Sequence, residues 1–144
     1  IFKMTVKISI TEIIRGAAAQ KSTKDKVAFL QANDNQPLRV VLSYTYDNNI
    51  EFLIPNTPPP WDKNEFEDEA KALLYREARR LRIFIKGGGY DTLNQIKRET
   101  LFIQLLQDVD NDDAETLAWM ITKKPFKGLS LKTINEAFPD LIQS

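Results

Sequence analysis

The sequence predicts an all-α fold: a compact bundle of six or seven helices with one long proline-rich loop at about 47–63. Three observations carry this expectation. Side-chain cap signals recur ahead of apolar residues spaced three and four apart, the pattern of helices that bury one face. Only one short run, Ile50, Phe52 and Ile54, alternates as a strand would. No heptad array or longer internal repeat is present to suggest a coiled coil or a solenoid.

Ser9 and Glu12 stand at the spacing of a capping box, and Ile10, Ile13, Ile14 and Ala17 then line one face. A second helix starts at Ser22, with Val27 and Leu30 apolar. In the third, Asp34 or Asn35 supplies the cap and Pro37 suits the first turn; Leu38, Val41, Leu42 and Thr45 share a face. Asn48, Asn49, Pro55, Pro58, Pro59, Pro60 and Trp61 then mark an extended connection. Proline lacks the amide donor a helix needs and disfavours helix in the residue before it. The run Ile50, Phe52, Ile54 has no evident partner strand, so the stretch reads as an ordered loop pinned by its apolar residues. A proline-rich ligand for another protein is the less favoured alternative.

From about Asn64 to Lys86 the spacing predicts the longest helix, with Leu74, Ala78, Leu81 and Ile85 as its buried stripe. Arg76, Arg79, Arg80 and Arg82 surround that stripe, which suits a solvated face better than a DNA contact. Gly87-Gly88-Gly89 ends the helix. These glycines follow a helix rather than a strand and lack the lysine–serine/threonine ending of a phosphate-binding loop. Residues 92–109 form another helix, with Leu93, Ile96, Phe102, Ile103, Leu105, Leu106 and Val109 core-like. Asp108, Asp110 and Asp112 alternate as in a calcium loop. However, Asp113 stands where an EF-hand needs glycine, and Trp119 where it needs a bidentate glutamate. Capping of a helix over 113–123 is the better account, with Ala114, Leu117, Ala118 and Ile121 on its buried face. A last short helix carries Ile134 and Phe138 before Pro139 stops it.

A chain of 144 residues fits one domain spanning 1–144. It contains no cysteine and no histidine. Disulfides, thiolate metal sites and any Ser-His-Asp or Cys-His catalytic arrangement within the chain are therefore excluded. No acidic pair stands out by spacing, so neither an enzyme nor a cofactor is expected. The 20 basic and 20 acidic residues cancel, and no global field drives the chain onto nucleic acid. The charges are nonetheless blocked. Asp62, Glu65, Glu67, Asp68 and Glu69 precede Arg76, Arg79, Arg80, Arg82 and Lys86; Asp108, Asp110, Asp112, Asp113 and Glu115 precede the lysines of 123–132. Acid before base suits a helix macrodipole without any ligand. No apolar run approaches the ~20 residues of a membrane span and no signal peptide is visible. The expectation is a cytoplasmic protein with no membrane partner, with Met4 the natural start.

The segment Lys123 to Ile142 holds the strongest functional candidate. Lys123, Lys124 and Lys127 precede Gly128, Leu129 and the N-cap Ser130, and Lys132 follows. Unpaired N–H groups at a helix start hold anions, and lysines around it strengthen that preference. The competing reading is structural: Lys123 and Lys124 favour the C-terminus of the preceding helix and Gly128 serves the turn.

The order of segments carries a resemblance. SITEIIRGAAAQKSTKDKVAFLQAND, then LRVVLSYTYDNNIEFLIP, then the ending KGLSLKTINEAFPDLI together resemble the N-terminal helical DNA-binding domain of T4-type phage ATP-dependent DNA ligases. The similarity covers about half the residues, clearest near both ends. The whole chain looks closer still to an uncharacterised family of small proteins of T4-like phages and cyanophages. The ligase resemblance implies a domain on the minor-groove side of nicked duplex, touching the backbone through helix termini and loops. It makes Gly128, Ser130 and Lys132, with Lys127, the first choices for phosphate contact, and Ser22, Thr23 and Lys24 the second. Lys123 and Lys124 complete the expected DNA-binding set. The ligase catalytic signature, a lysine followed at short spacing by Asp-Gly, is absent, so adenylation and nick sealing are excluded for this chain alone. The function expected is a non-catalytic phage accessory module that binds duplex DNA non-specifically. The alternative is a module that binds a phage replication protein, such as a sliding clamp, or a host factor.

Overall fold

The computed structural model describes residues 8–62 and 74–142. Among them are seven α-helices, one 3₁₀ segment and no sheet: the fold is all-α. The start expected near Asn64 and most of the acidic block 62–69 lie outside the described residues.

Helix α1 (Ile10–Ala18) opens with a complete capping box: the Glu12 N–H donates to Ser9 Oγ at 3.1 Å and the Ser9 N–H to Glu12 Oε1 at 3.1 Å. Two otherwise orphaned amide donors are thereby paired, which contributes about 1 kcal/mol. Ile10, Ile13, Ile14 and Ala17 are buried. Helix α2 (Thr23–Ala32) starts on the Ser22 hydroxyl, which accepts the Asp25 N–H; it buries only Leu30, with Val27 and Phe29 partly covered. Helix α3 (Gln36–Tyr46) is capped by Asn35 through the Leu38 N–H, while Asp34 pairs with the Arg39 guanidinium at 2.6 Å and 2.8 Å.

Residues 47–62 contain no helix. Phe52 and Ile54 are buried, and Phe52 finds the strand partner the sequence did not reveal. It forms an antiparallel bridge with Ile85, closed by Leu53 N–H to Phe84 O (2.7 Å) and Lys86 N–H to Glu51 O (2.9 Å).

That pairing requires Ile85 to be extended, so the stripe expected at Leu74, Ala78, Leu81 and Ile85 changes its last member. Helix α4 (Leu74–Glu77) tightens into a 3₁₀ segment, Ala78–Phe84, whose three-residue turn stacks Ala78, Leu81 and Phe84 on the buried side. Ile85 leaves the helical path at φ −116°, ψ 151°. Phe84 meets Phe102 edge to face at 5.1 Å between ring centroids.

Helix α5 (Gln95–Asp108) buries Phe102, Leu105 and Leu106, with Val109 beyond its end. Ile96 departs from the expected core set and is 78% exposed. Helix α6 (Asn111–Met120) begins before the expected position 113 because Asp110 is its cap, accepting the Asp112 N–H. Asp113 is instead buried, where it accepts the Thr11 hydroxyl (2.6 Å) and the Thr11 N–H (3.2 Å), tying α6 to α1. Burial pushes its carboxyl above the usual 3.8, against the Thr11 hydrogen bonds that favour the charged form. Helix α7 (Leu131–Ala137) closes the chain against α2; α1 touches α2 and α6, and α3 touches α6 and the α4 region.

Candidate nucleic-acid interface

The turn between α6 and α7 is built from the inside outward. Lys123 has φ +62°, a left-handed conformation unusual for a residue with a side chain. Its ammonium explains the placement: Nζ donates to Tyr44 O and Asp47 O, each at 2.6 Å, and lies 5.7 Å from the Phe52 ring centre. Lys123 thus satisfies carbonyls at the C-terminal end of α3, where a cation also complements the helix dipole. It serves a helix C-terminus, though α3's rather than that of the preceding α6. Burial lowers its pKa and the nearby Asp47 charge opposes that shift.

Two aromatic side chains then shape residues 124–129. Trp119 Nε1 donates to Lys124 O at 3.0 Å and to Pro125 O at 3.3 Å. The buried Tyr46 hydroxyl donates to Leu129 O (2.6 Å) and accepts the Phe126 N–H (2.9 Å). Desolvation pushes the Tyr46 phenol up to about 12, opposed by the Phe126 hydrogen bond. Gly128 is required twice over. Its φ is +85°, and a Cβ there would lie 3.0 Å from Ala18 Cβ and 3.1 Å from Ala18 O. Its carbonyl accepts Lys26 Nζ from α2 at 2.6 Å. Ser130 caps α7 by accepting the Thr133 N–H at 3.2 Å.

The result is an open depression of about 570 Å³ between the start of α2 and the turn, lined by Thr23, Lys26, Lys127, Gly128, Ser130 and Leu131 among others. Of the residues singled out in the sequence, Thr23, Lys127, Gly128 and Ser130 come together there. Lys24, Lys124 and Lys132 are exposed and each directly follows or precedes a lining residue in the chain, but they do not line the hollow themselves. Ser22 is exposed, its hydroxyl engaged by the Asp25 N–H. Lys123 points its charge into the α3 end instead. The lining residue that sequence reasoning passed over is Lys26. Lys24 and Lys26 stand two apart, about 200° around a helix, so only one of them can face a given neighbour. Which one does so depended on where α7 docks.

The fold and this surface define an all-α domain that gathers basic and hydroxyl side chains at the junction of two helix starts. Residues 13–126 match a family described as "Family of unknown function (DUF6433)", and the chain belongs to that family. The match takes in Thr23 and Lys26 and stops just short of Lys127. No curated protein matches the chain.

Proposed function

We propose that this protein is a non-catalytic accessory module that binds the backbone of duplex DNA non-specifically through the α2–α7 face. The observation that carries the reading is the convergence of Thr23, Lys26, Lys127, Gly128 and Ser130 on one open depression, flanked in the chain by the exposed Lys24, Lys124 and Lys132. The resemblance to the phage ligase domain points to the same turn. Two features weaken the expected affinity. Lys26 is already bonded to the Gly128 carbonyl, and Asp25 sits in the first turn of α2 beside the site.

With Lys24, Lys124, Lys127 and Lys132 as the available cations, three or four phosphates are engaged. Log K should then fall against log salt with a slope of about −3, from a non-specific Kd of roughly 10⁻⁴–10⁻⁶ M at physiological salt. Base specificity is not expected, because phosphate contacts position a protein without reading sequence. Fluorescence anisotropy with a labelled duplex across a salt series measures this. Alanine at all four lysines should flatten the slope and weaken low-salt binding more than tenfold while helicity is kept; unchanged binding by that variant refutes the assignment.

A second reading is favoured by Leu131, which lines the same depression and is 44% exposed. An apolar side chain among lysines suits an acidic protein partner, such as a replication protein or host factor, better than phosphate alone. A co-purified acidic protein and no salt-dependent DNA shift would select it.

A further inference from the structure

A second hollow lies between the proline-rich loop and α5. It is a largely apolar cavity of about 180 Å³, lined by Ile54, Pro55, Thr57, Phe102, Ile103 and Ile121 among others, with Glu99 as its one charged lining residue. Cavities of about 150 Å³ with such linings accept benzene, whereas sites that enclose whole organic ligands run to roughly 300–1,000 Å³. The size matches a single leucine or phenylalanine side chain.

The carboxylate beside it is held in position. Glu99 Oε2 accepts Gln95 Nε2 at 2.8 Å, and that nitrogen also donates to Leu53 O at 2.9 Å on the loop side. Gln95 Oε1 in turn accepts Arg98 Nη1 at 2.5 Å. Arg98 is buried and directs its other donors to the carbonyls of Ile83, Tyr90 and Asp91. No lysine or arginine forms an ion pair with Glu99 among the described residues. One turn before it, on the same flank of α5, Ile96 is 78% exposed and extends the apolar surface past the cavity.

We propose that this cavity is the anchor point of a protein partner, one that inserts a large apolar side chain and sets an adjacent lysine or arginine against Glu99. Three features select that occupant together: a volume fitting one side chain, a carboxylate at its edge that Gln95 orders and that has no ion-pair partner among the described residues, and an exposed isoleucine beyond it. A single buried anchor with a charged neighbour is how small interfaces concentrate their binding energy. The proposal is independent of the lysine face and of DNA.

Amide chemical-shift titration of the isotope-labelled protein with blocked dipeptide amides tests it. Phenylalanyl-lysine should perturb the amides of Thr57, Glu99, Ile103 and Ile121 and bind about threefold tighter than phenylalanyl-glutamate, the preference an exposed ion pair provides. Alanyl-lysine should fail. Glu99→Gln should abolish the lysine-over-glutamate preference, and Ile103→Trp should block binding by filling the cavity, each variant first checked by thermal melting. The proposal is overturned by perturbations elsewhere or none, by a preference that survives Glu99→Gln, or by equal binding of toluene and the dipeptides. If Ile103→Trp does not fold, the Glu99→Gln and alanyl-lysine comparisons still decide.

Discussion

Lys123 separates the structural and functional accounts of the lysine-rich turn, and Lys123→Met is the informative change. Methionine keeps the apolar length of the side chain and removes the ammonium. Two carbonyls, Tyr44 O and Asp47 O, then lose charge-assisted hydrogen bonds of 2.6 Å each, and Asp47 is only 3% exposed. A hydrogen bond to a charged group is worth about 1.5–3 kcal/mol net, and Asp47 O keeps its bond from the Ile50 N–H, at 3.1 Å, when the ammonium is removed. The ammonium is itself partly desolvated in the folded state, which offsets some of that loss. The expected destabilisation is about 2–3 kcal/mol, or roughly 6–10 °C in Tm at this chain length. Lys123→Gly supplies the control. It loses the same bonds but relieves the φ of +62°, so it should be less destabilised by about 1 kcal/mol. Thermal unfolding by circular dichroism measures both, and DNA affinity at one low salt concentration is measured alongside. An unchanged Tm for Lys123→Met with reduced DNA affinity would refute this reasoning. It would show that the ammonium is free for phosphate rather than committed to the α3 terminus.

Other changes test the same framework. Gly128→Ala should lower stability by about 1–3 kcal/mol, since it combines the +85° φ with a Cβ crowded by Ala18; chemical denaturation reads this directly. Tyr46→Phe should cost about 1–3 kcal/mol by leaving Leu129 O and the Phe126 N–H unpaired, and should accelerate hydrogen exchange at Phe126. Because the folded Tyr46 phenol is raised to about 12 from 10.0, the wild type binds more protons folded than unfolded in that window. Its stability should therefore decline relative to Tyr46→Phe as pH rises from 10.0 towards about 12. Asp113 carries the same sign at acid pH. Its folded pKa lies above 3.8, so ionisation disfavours the folded state, and wild type should gain stability relative to Asp113→Asn as pH falls through the folded pKa. Melting curves across that range should show the crossing trend; parallel pH profiles would contradict it.

The caps were legible in the sequence because a cap is a contact across three residues. Ser9 with Glu12, Ser22, and Ser130 each engage the amide their spacing indicates. The choice between Asp34 and Asn35 was not legible, since both carry a suitable oxygen. Arg39 decided it by drawing off Asp34. Apolar spacing found the buried faces of α1 and α3, and overreached at Ile96. Helical periodicity cannot tell a residue facing the core from one at the edge of a groove. The bridge to Phe52 pulled Ile85 out of its stripe, a contact between positions 33 residues apart that no local pattern encodes.

The sequence by itself determined the all-α class, where most helices begin, and the absence of thiol and imidazole chemistry. Those follow from local geometry and from residue inventory. Tertiary structure alone decided the fate of each charge. It turned Lys123 inward to the end of α3, brought Lys26 to the Gly128 carbonyl, buried Asp113 against Thr11, and left Glu99 beside an apolar cavity. A charged side chain's role depends on what lies within a few ångströms of its head group, and for these four that neighbour comes from a distant part of the chain or from the way distant segments close a cavity.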